Sequence, residues 1–316
     1  MANTKYTFLL PAYKGQFLDD MLRSIQGQTY TDFKVIISDD CSPENLQSIC
    51  EPYLSDPRFT YRRNDENMGS VSLVSHWNLL VDMCDTEFFI MASDDDIYEP
   101  SFLKEMDMLT MMYPKVDLYR ARMTIIDESN NLLIRDPFME EYYNHSHFFY
   151  QYYASNMLTC EANYIYRTKT MKRKGGYIEF PLAWFSDDAT HIMMAANGCV
   201  NSTKYLFSYR KSPLAITYKW GEKEDAAYKT EASLEYWKWI NDYLPIIIEE
   251  DELLLKTIAL SNCKQKITKG LILYTQFLTR KQFMKYVRLC RKELGMSKIV
   301  LFYYWLRIYL HNKTHL

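Results

Sequence analysis

Three consecutive carboxylates follow a short apolar run in the first third of the chain. Asp94, Asp95 and Asp96 come after Ser93, directly behind the apolar run 88–92. Such a run is typical of a buried strand, and adjacent carboxylates at its end repel one another unless a positive charge lies among them. A divalent cation with oxygen ligands would supply that charge, whereas a solvated acidic turn would need none. Because open α/β sheets bind ligands outside the carboxyl ends of their strands, we favour a metal or metal-nucleotide site.

Two more acidic pairs occur where the chain leaves a predicted element. Asp39 and Asp40 follow the apolar run 33–37, and Asp187 and Asp188 open a predicted helix. Each pair alone could be a helix cap. We call the three groups 39–40, 94–96 and 187–188 the acidic stations. Together they predict one cleft in which the carboxylates have different tasks.

This division of tasks suits the transfer of a sugar from a nucleotide diphosphate. One carboxylate would bind a divalent ion, which offsets the charge that develops on the departing phosphate. Another would accept hydrogen bonds from a ribose or base. A third, held away from the metal, would remove a proton from the incoming hydroxyl.

The elements that would position these acids alternate between strands and helices. Strands are predicted over 6–10, 33–37, 59–62 and 88–92, with helices over 17–26, 42–53 and 71–83 between them. Nearly all-apolar strands separated by helices predict a mostly parallel sheet that is covered on both faces. Neither a Gly-x-Gly-x-x-Gly fingerprint nor a Walker-type loop follows the first strand, which argues against a dinucleotide site and a P-loop.

Farther along the chain the pattern becomes less regular and then helical. A strand pair is predicted over 117–126, an aromatic loop over 137–153, and further strands over 157–168 and 199–209. From residue 222 onward the pattern is mostly helical. We therefore predict a catalytic domain over 1–220 and a helical, basic extension over 221–316.

Charge and cysteine usage add predictions about location. The net charge of the 316 residues is -3, yet residues 253–316 hold 13 lysines and arginines against one acid, Glu293. Within this tail, the apolar stretch 299–310 is shorter than the roughly 20 residues that span a bilayer. The tail therefore predicts either contact with an anionic membrane surface or packing on the core, and both stay open. Seven scattered cysteines without a Cys-x-x-Cys pair predict a reducing compartment, and the first residues leave no room for a signal peptide. We expect a cytoplasmic protein, peripheral on the inner face of the membrane where the tail binds lipid.

Several segments, in order, resemble family-2 glycosyltransferases of the GT-A fold. Pro11-Ala12-Tyr13 and the stretch 24–42 resemble the family's opening patterns P-x-Y-N, S-I-x-x-Q-T-Y-x-D-F-E and V-D-D-G-S. Asn67-Met68-Gly69 resembles its N-x-G turn, and the stretch 93–100 resembles its metal motif. The pair at 187–188 falls where the family usually carries Glu-Asp.

The resemblance covers about residues 5–215, and Lys14 stands where many members have Asn. It implies an α/β GT-A (Rossmann-like) fold, a mostly parallel sheet flanked by helices, and an inverting, metal-dependent transferase. Asp95 would hold the divalent metal, Mn2+ or Mg2+, with Asp96 as the rival ligand. Asp188 would be the catalytic base, with Asp187 as its alternative. The nucleotide contacts that it implies are Pro11, Ala12, Tyr13, Asp39, Asp40, Asn67 and Asp94.

The expected partners follow from the same resemblance. A nucleotide-sugar donor, with UDP-sugar favoured, would give its sugar to a glycan or lipid-linked hydroxyl in polysaccharide biosynthesis. Arg210, Lys211 and His191 are further candidates for diphosphate or acceptor contacts, and we expect no nucleic-acid partner. Two alternatives are a sugar-nucleotide nucleotidyltransferase and a non-catalytic binding module of the same fold. The loop at 11–15 is too short and too poor in glycine for the first, and intact acids at all three stations argue against the second.

Overall fold

The computed structural model describes residues 4–212, 225–244 and 252–314. These residues form two compact units. We call residues 4–148, 156–178 and 190–212 the sheet unit, and the remaining described residues the helical unit. The predicted domain boundary between 220 and 221 lies outside the described residues, and the helical unit also includes 149–155 and 179–189.

Strands and helices follow one another over residues 6–210, and they alternate strictly from β1 to β4. In order they are β1 (Tyr6–Ala12), α1 (Leu18–Gln26), β2 (Phe33–Asp39), α2 (Leu46–Cys50), β3 (Phe59–Arg63), α3 (Gly69–Met83), β4 (Phe88–Met91), β5 (Ile97–Tyr98), α4 (Phe102–Met112), β6 (Leu118–Ile126), β7 (Leu132–Arg135), β8 (Tyr142–Tyr143), α5 (His145–Ala154), β9 (Tyr164–Arg167), α6 (Thr168–Arg173), α7 (Ser186–Met194) and β10 (Cys199–Arg210). The α/β fold predicted from the sequence is confirmed.

One sheet contains all of these strands. Its main path runs β3-β2-β1-β4-β9-β6-β10-β5, with β7 paired to β6 and β8 paired to β10. The first four strands in sequence are parallel, so their carboxyl ends lie at one edge. The remaining strands make the sheet mixed, because β9 is antiparallel to both β4 and β6.

The ladder hydrogen bonds of β1 to β4 lead directly into the loops that carry the predicted site. The N–H of Asp40 donates to the carbonyl of Ala12 at 2.9 Å, and the N–H of Asn64 donates to that of Asp39 at 2.8 Å. The N–H of Ala92 donates to the carbonyl of Leu9 at 2.8 Å. The loops after β1, β2, β3 and β4 therefore start from one rigid edge.

Aromatic side chains fill the core beneath this edge. Tyr6 stacks on Phe88 across β1 and β4, with ring centroids 5.6 Å apart. Phe8 packs edge-on against Tyr98, with ring centroids 5.1 Å apart. Tyr98 lies in β5, which follows the acidic residues in the chain. All four are fully or almost fully buried, and aromatic pairs of this kind stabilise by about 0.5–1.5 kcal/mol beyond their burial.

Three of the sequence-based expectations for the middle of the chain are wrong. Residues 145–154 form α5 rather than a loop, because Asn144 Oδ1 accepts the N–H of His147 at 2.9 Å and caps the helix. Residues 118–126 form the single strand β6, which hairpins with β7. The stretch 157–168 contributes only the short strand Tyr164–Arg167.

The helical unit ends in four helices, as the helical pattern predicts. They are α8 (Ala226–Tyr243), α9 (Leu253–Thr275), α10 (Arg280–Leu294) and α11 (Lys298–Thr314). α10 begins with a capping box between Thr279 and Gln282 and ends at Gly295, whose φ of 67° is left-handed. Among the described residues, no helix combines the length and the apolar character that crossing a bilayer requires.

Candidate active site

The acidic loop, residues 93–96, is bound to the loop that follows β1. The backbone N–H groups of Tyr13 and Lys14 both donate to Asp94 Oδ2, at 2.9 and 2.8 Å. These bonds form because β1 and β4 are parallel neighbours whose following loops meet at the same edge. Burial raises the pKa of Asp94, and the nearby Lys14 ammonium opposes that rise. Asp94 thus holds together the two loops to which the family resemblance assigns donor binding.

The Lys14 side chain supplies a positive charge within the acidic loop. Its Nζ lies 2.7 Å from Asp95 Oδ2 and 3.1 Å from Asp94 Oδ1. Burial alone would lower the pKa of Lys14, but the two carboxylates raise it above the ordinary lysine value. The repulsion expected between adjacent carboxylates is therefore relieved by a lysine from the β1 loop.

Asp96 points toward different partners from its two neighbours. Its carboxylate accepts the hydroxyl of Ser93 and, at 2.8 Å, the backbone N–H of Arg210 at the end of β10. The Arg210 guanidinium donates to the carbonyl of Asp95 at 2.8 Å and stacks over the ring of Phe17. Burial, with the nearby Asp95 charge, raises the pKa of Asp96 to about 8. Arg210 is itself buried, so here it supports the acidic loop from beneath.

The second acidic station is Asp40, whose carboxylate is enclosed by the loop after β3. Its Oδ1 accepts from Asn64 Nδ2 at 2.8 Å and from the N–H of Met68 at 2.9 Å, and its Oδ2 accepts from the N–H of Gly69 at 2.7 Å. A side chain at position 69 would place its Cβ 2.9 Å from Asp40 Oδ2. The glycine of the Asn-x-Gly turn is therefore required by the close approach of this carboxylate.

Asp39 is fully buried and holds the turn after β2. Its Oδ1 accepts the N–H of Ser42 at 2.8 Å, and its Oδ2 accepts the hydroxyl of Tyr61 at 2.6 Å. Arg63 completes an ion pair with the same carboxylate. These bonds give Asp39 a structural role in the loop. Nearer the solvent at this edge lie the side chains of Tyr13, which is 42% exposed, and of the half-buried Asn67. Pro11 and Ala12 are the last two residues of β1, and Ala12 is buried.

The third acidic station, Asp187 and Asp188, lies in the helical unit. Asp187 Oδ1 accepts the N–H of Asp188 at 2.9 Å within the first turn of α7. Asp188 Oδ1 instead pairs with Lys266 Nζ of α9 at 3.1 Å. The ammonium of Lys266 also lies over the rings of Phe185 and Tyr153, at 5.6 and 5.5 Å from their centroids.

The backbone that leads into this station is strained. Leu182, Ala183 and Phe185 have φ angles of 58°, 55° and 70°, and each non-glycine residue in this region costs about 1–2 kcal/mol. Strained backbone of this kind clusters at functional sites, where the surrounding packing holds it in place. Here Phe185 is held by stacking on Tyr236, with centroids 4.6 Å apart and rings nearly parallel.

Two of the remaining candidate contacts have contrasting surroundings. His191 is fully buried, with Nε2 3.3 Å from Glu161 Oε2 and its ring stacked on Tyr164 at 3.9 Å. Lys211 is exposed and directly follows Arg210. The burial of His191 favours a structural role, while the exposure of Lys211 leaves its side chain accessible to an anion.

The residues of the acidic loop have the right donor type for Mn2+ or Mg2+, because both ions prefer carboxylate oxygens. With the Lys14 ammonium in place, however, the arrangement does not fit an ion. Lys14 Nζ already contacts one oxygen of Asp94 and one of Asp95, and Asp96 is directed to Ser93 and Arg210. Across 4–212, 225–244 and 252–314, no three His, Cys, Asp or Glu side chains form a group that could hold a metal.

Comparison with known proteins defines the family. The model of glycosyl transferase family 2 matches residues 7–173, more than half of the chain, so the chain belongs to this family. It is 34% identical over 84 residues to a putative colanic acid biosynthesis glycosyl transferase, WcaA, of Escherichia coli, which is 26% of this chain and 29% of that protein. It is 26% identical over 135 residues to an uncharacterized glycosyltransferase of Rickettsia conorii, which is 42% of this chain and 21% of that protein. The chain thus spans less than a third of the length of either relative.

Solved structures share the fold at low sequence identity. TarS 1–349 of S. aureus in complex with UDP-GlcNAc has a TM-score of 0.57 at 15% identity, with 93% of each chain covered. A mannosyltransferase of Pyrobaculum calidifontis in complex with GDP-Man and Mn2+ has a TM-score of 0.52 at 13% identity, covering 94% of this chain and 77% of that one. These similarities confirm the GT-A-like architecture.

Sequence reasoning missed two lysines at these stations. Lys14 was visible as a departure from the asparagine that many family members carry, but nothing in the local pattern showed that it would reach the acidic loop. Lys266 belongs to a basic helix whose spacing gives no sign of Asp188, which lies 78 residues earlier.

Proposed function

We propose that this chain transfers a sugar from a nucleotide-diphosphate donor to an acceptor hydroxyl. The observation that carries the proposal is the binding of Asp94 to the N–H groups of Tyr13 and Lys14. It joins two family motifs at the carboxyl edge of a parallel sheet, where α/β proteins bind nucleotides. Membership of glycosyl transferase family 2 supports the same activity.

The donor would bind along the carboxyl edge of β1, β2 and β4. Pro11, Ala12, Tyr13 and Asn67 would contact the base, with Asp39, Asp40 and Asp94 holding the loops and the ribose. Solved relatives bind UDP, UDP-GlcNAc or GDP-Man, which supports a nucleotide-sugar donor, and we favour UDP. The name of the E. coli relative supports a glycan or lipid-linked acceptor in polysaccharide biosynthesis.

Asp188 is the proposed catalytic base of an inverting transfer. Its carboxylate would take the proton of the acceptor hydroxyl, whose oxygen forms the new bond to the anomeric carbon as the nucleotide diphosphate leaves with the electron pair of the broken bond. Two features favour Asp188 over Asp187. The Asp187 carboxylate is used by the N–H of its neighbour, whereas Asp188 is oriented by the ion pair with Lys266.

A divalent cation is the expected companion of a diphosphate donor. The family and the mannosyltransferase solved with Mn2+ support this prediction. The exposed Lys211 is the proposed direct contact to the diphosphate, and the buried Arg210 would act on the diphosphate through the acidic loop. Because Lys14 engages Asp94 and Asp95, the chemistry proposed above is assigned to side chains and does not depend on a bound ion.

A donor screen tests the proposed activity. The purified chain would be mixed with a panel of UDP- and GDP-sugars, and both the thermal midpoint and the release of nucleotide diphosphate would be measured. We expect at least one donor to raise the midpoint, and Asp94→Asn to abolish that rise. The matched control is Asp107→Asn, which removes a carboxylate paired with Lys5 away from this edge. If no nucleotide or nucleotide sugar stabilises the protein, the proposal is wrong.

Membrane contact by the basic tail is a separate part of the proposal. α11 packs through Trp305, which stacks on Phe283 at 5.0 Å, while Ile299, Phe302 and Tyr303 on the same helix are half or more exposed. The basic residues of α10 and α11 include Arg280, Lys281, Lys285, Arg288, Arg291, Lys292, Lys298 and Arg307. Exposed apolar side chains beside clustered positive charge suit an anionic lipid surface.

Co-sedimentation with vesicles tests this contact. We expect the chain to pellet with vesicles that contain about 30% anionic lipid, and to remain in solution with neutral vesicles. Replacing Ile299, Phe302 and Tyr303 by serine should abolish pelleting. The control replaces the half-exposed Leu132, Leu133 and Ile134 of β7 by serine. Equal pelleting of both triple variants would remove the membrane role of α11.

A further inference from the structure

Lys14 occupies the place where a cation of the acidic loop would bind. Asp94 Oδ2 is taken by two backbone N–H groups, and Asp94 Oδ1 and Asp95 Oδ2 are the oxygens that face the Lys14 ammonium. Lys14 Nζ lies 3.1 and 2.7 Å from these two oxygens. The Asp94 and Asp95 side chains are 7% and 11% exposed, whereas the Lys14 side chain is 29% exposed. The ammonium is thus the counter-charge of a buried acidic pair.

A divalent ion at the same oxygens would compete with this ammonium. Mg2+ binds carboxylate oxygens at about 2.1 Å, so an ion shared by Asp94 and Asp95 would have the lysine charge as a direct neighbour. Like charges at such a separation repel strongly in a partly buried site. Asp96 offers no alternative, because Ser93 and the N–H of Arg210 hold its carboxylate.

We propose that Lys14 is the resident counter-cation of the acidic loop and excludes divalent ions from Asp94 and Asp95 until the lysine is displaced. Lys14 is therefore a positioning residue: it holds the two carboxylates in place without a metal and sets how tightly the loop takes one. The inference rests on the proposed function in one respect: that function is the reason for expecting a divalent cation at the acidic loop. A purely structural ion pair would affect stability but would leave metal affinity unchanged.

Titration of the donor-free protein with Mn2+ tests the competition. Free Mn2+ would be followed by electron paramagnetic resonance in wild type, Lys14→Met and Lys14→Arg, with folding checked by circular dichroism. Removing the charge should tighten Mn2+ binding at least about tenfold, while the arginine variant should bind as weakly as wild type. The matched control is Lys5→Met, which removes a lysine paired with Asp107 at the other end of β1 and should behave as wild type.

A double variant shows where the added ion binds. In Lys14→Met/Asp95→Asn the gain in affinity should disappear, because the Asp95 carboxylate has become a neutral amide. Equal Mn2+ affinity of wild type and Lys14→Met would overturn the proposal, as would a gain that survives in the double variant. No nucleotide or acceptor is present, so this failure is distinct from a failure of the transferase activity.

A labelling measurement covers the case in which Lys14→Met does not fold. Reductive methylation of wild-type lysines would be followed by mass spectrometry with and without MnCl2. We expect Mn2+ to raise the methylation rate of Lys14 several-fold relative to that of Lys5, because the displaced ammonium becomes accessible. A rate ratio that Mn2+ does not change would overturn the proposal.

Discussion

The glycine at position 69 offers the sharpest test of how the donor edge is built. Its N–H donates to Asp40 Oδ2 at 2.7 Å, and a Cβ added there would lie 2.9 Å from the same oxygen. Real Cβ atoms essentially never approach an oxygen this closely, so in Gly69→Ala the carboxylate must move. Asp40 is only 4% exposed, which leaves water little access to replace a lost bond.

The size of the effect follows from the bond that is lost. A hydrogen bond to a charged group contributes about 1.5–3 kcal/mol, and the bonds from Asn64 and Met68 to the other oxygen can persist. Alanine restricts the unfolded chain and returns about 0.4–1 kcal/mol. Gly69→Ala should therefore lower the free energy of unfolding by about 1–2 kcal/mol.

Gly270→Ala is the matched control. Gly270 lies inside α9, and its added Cβ would meet only the ring of Tyr274, at 3.2 Å. Alanine is better than glycine in a helix interior by up to about 1 kcal/mol. The helix preference of alanine and the close contact with the Tyr274 ring oppose each other, so this variant should stay nearer to the stability of wild type than Gly69→Ala does.

Urea denaturation measures both changes, and calorimetry with UDP adds a functional readout. If Asp40 shapes the donor edge as proposed, Gly69→Ala should also weaken UDP binding about tenfold, which corresponds to about 1.4 kcal/mol. A Gly69→Ala protein within about 0.5 kcal/mol of wild type would refute the reasoning. It would show that the N–H of Gly69 does not hold the Asp40 carboxylate.

Three further predictions concern the base, a buried histidine and a strained cysteine. Asp188→Asn should lower the initial transfer rate at least about a hundredfold, and Asp187→Asn should lower it much less; similar losses in both would leave the base unassigned to Asp188. Burial lowers the pKa of His76, so the folded state resists its protonation, and stability should fall as the pH drops below about 6.5. In His76→Gln the urea midpoint should change less between about pH 5 and about pH 7.5 than it does in wild type. An equal change in both proteins would contradict this prediction. Cys41 has a left-handed φ of 53° and lies at the position of the glycine in the family pattern V-D-D-G-S. Cys41→Gly should therefore raise the free energy of unfolding by about 0.5–1 kcal/mol in the same assay. A loss of stability would mean that the contacts of the thiol outweigh the strain.

Much of the fold and part of the candidate site could be predicted from the sequence, because both depend on local patterns. The apolar runs that become β1 to β4, and the acids that follow β2 and β4, are set by strand period and by turn residues within a few positions. The Asn67-Met68-Gly69 turn was also visible, and its glycine is required by a contact with Asp40. Irregular stretches were predicted less well, since the aromatic helix α5 depends on a cap at Asn144 and on burial of its rings.

The partners of the acidic residues were decided only by the tertiary structure. Lys14 and Asp95 are 81 residues apart, and Arg210 and Asp96 are 114 apart. These pairs form because β1 lies beside β4 and because β10 runs antiparallel to β5 directly after the acidic loop. The sequence alone determined that the chain has three groups of acidic residues and that it resembles family-2 glycosyltransferases. Whether a carboxylate faces a lysine, a backbone N–H or solvent depends on strand order and register, which no local pattern contains.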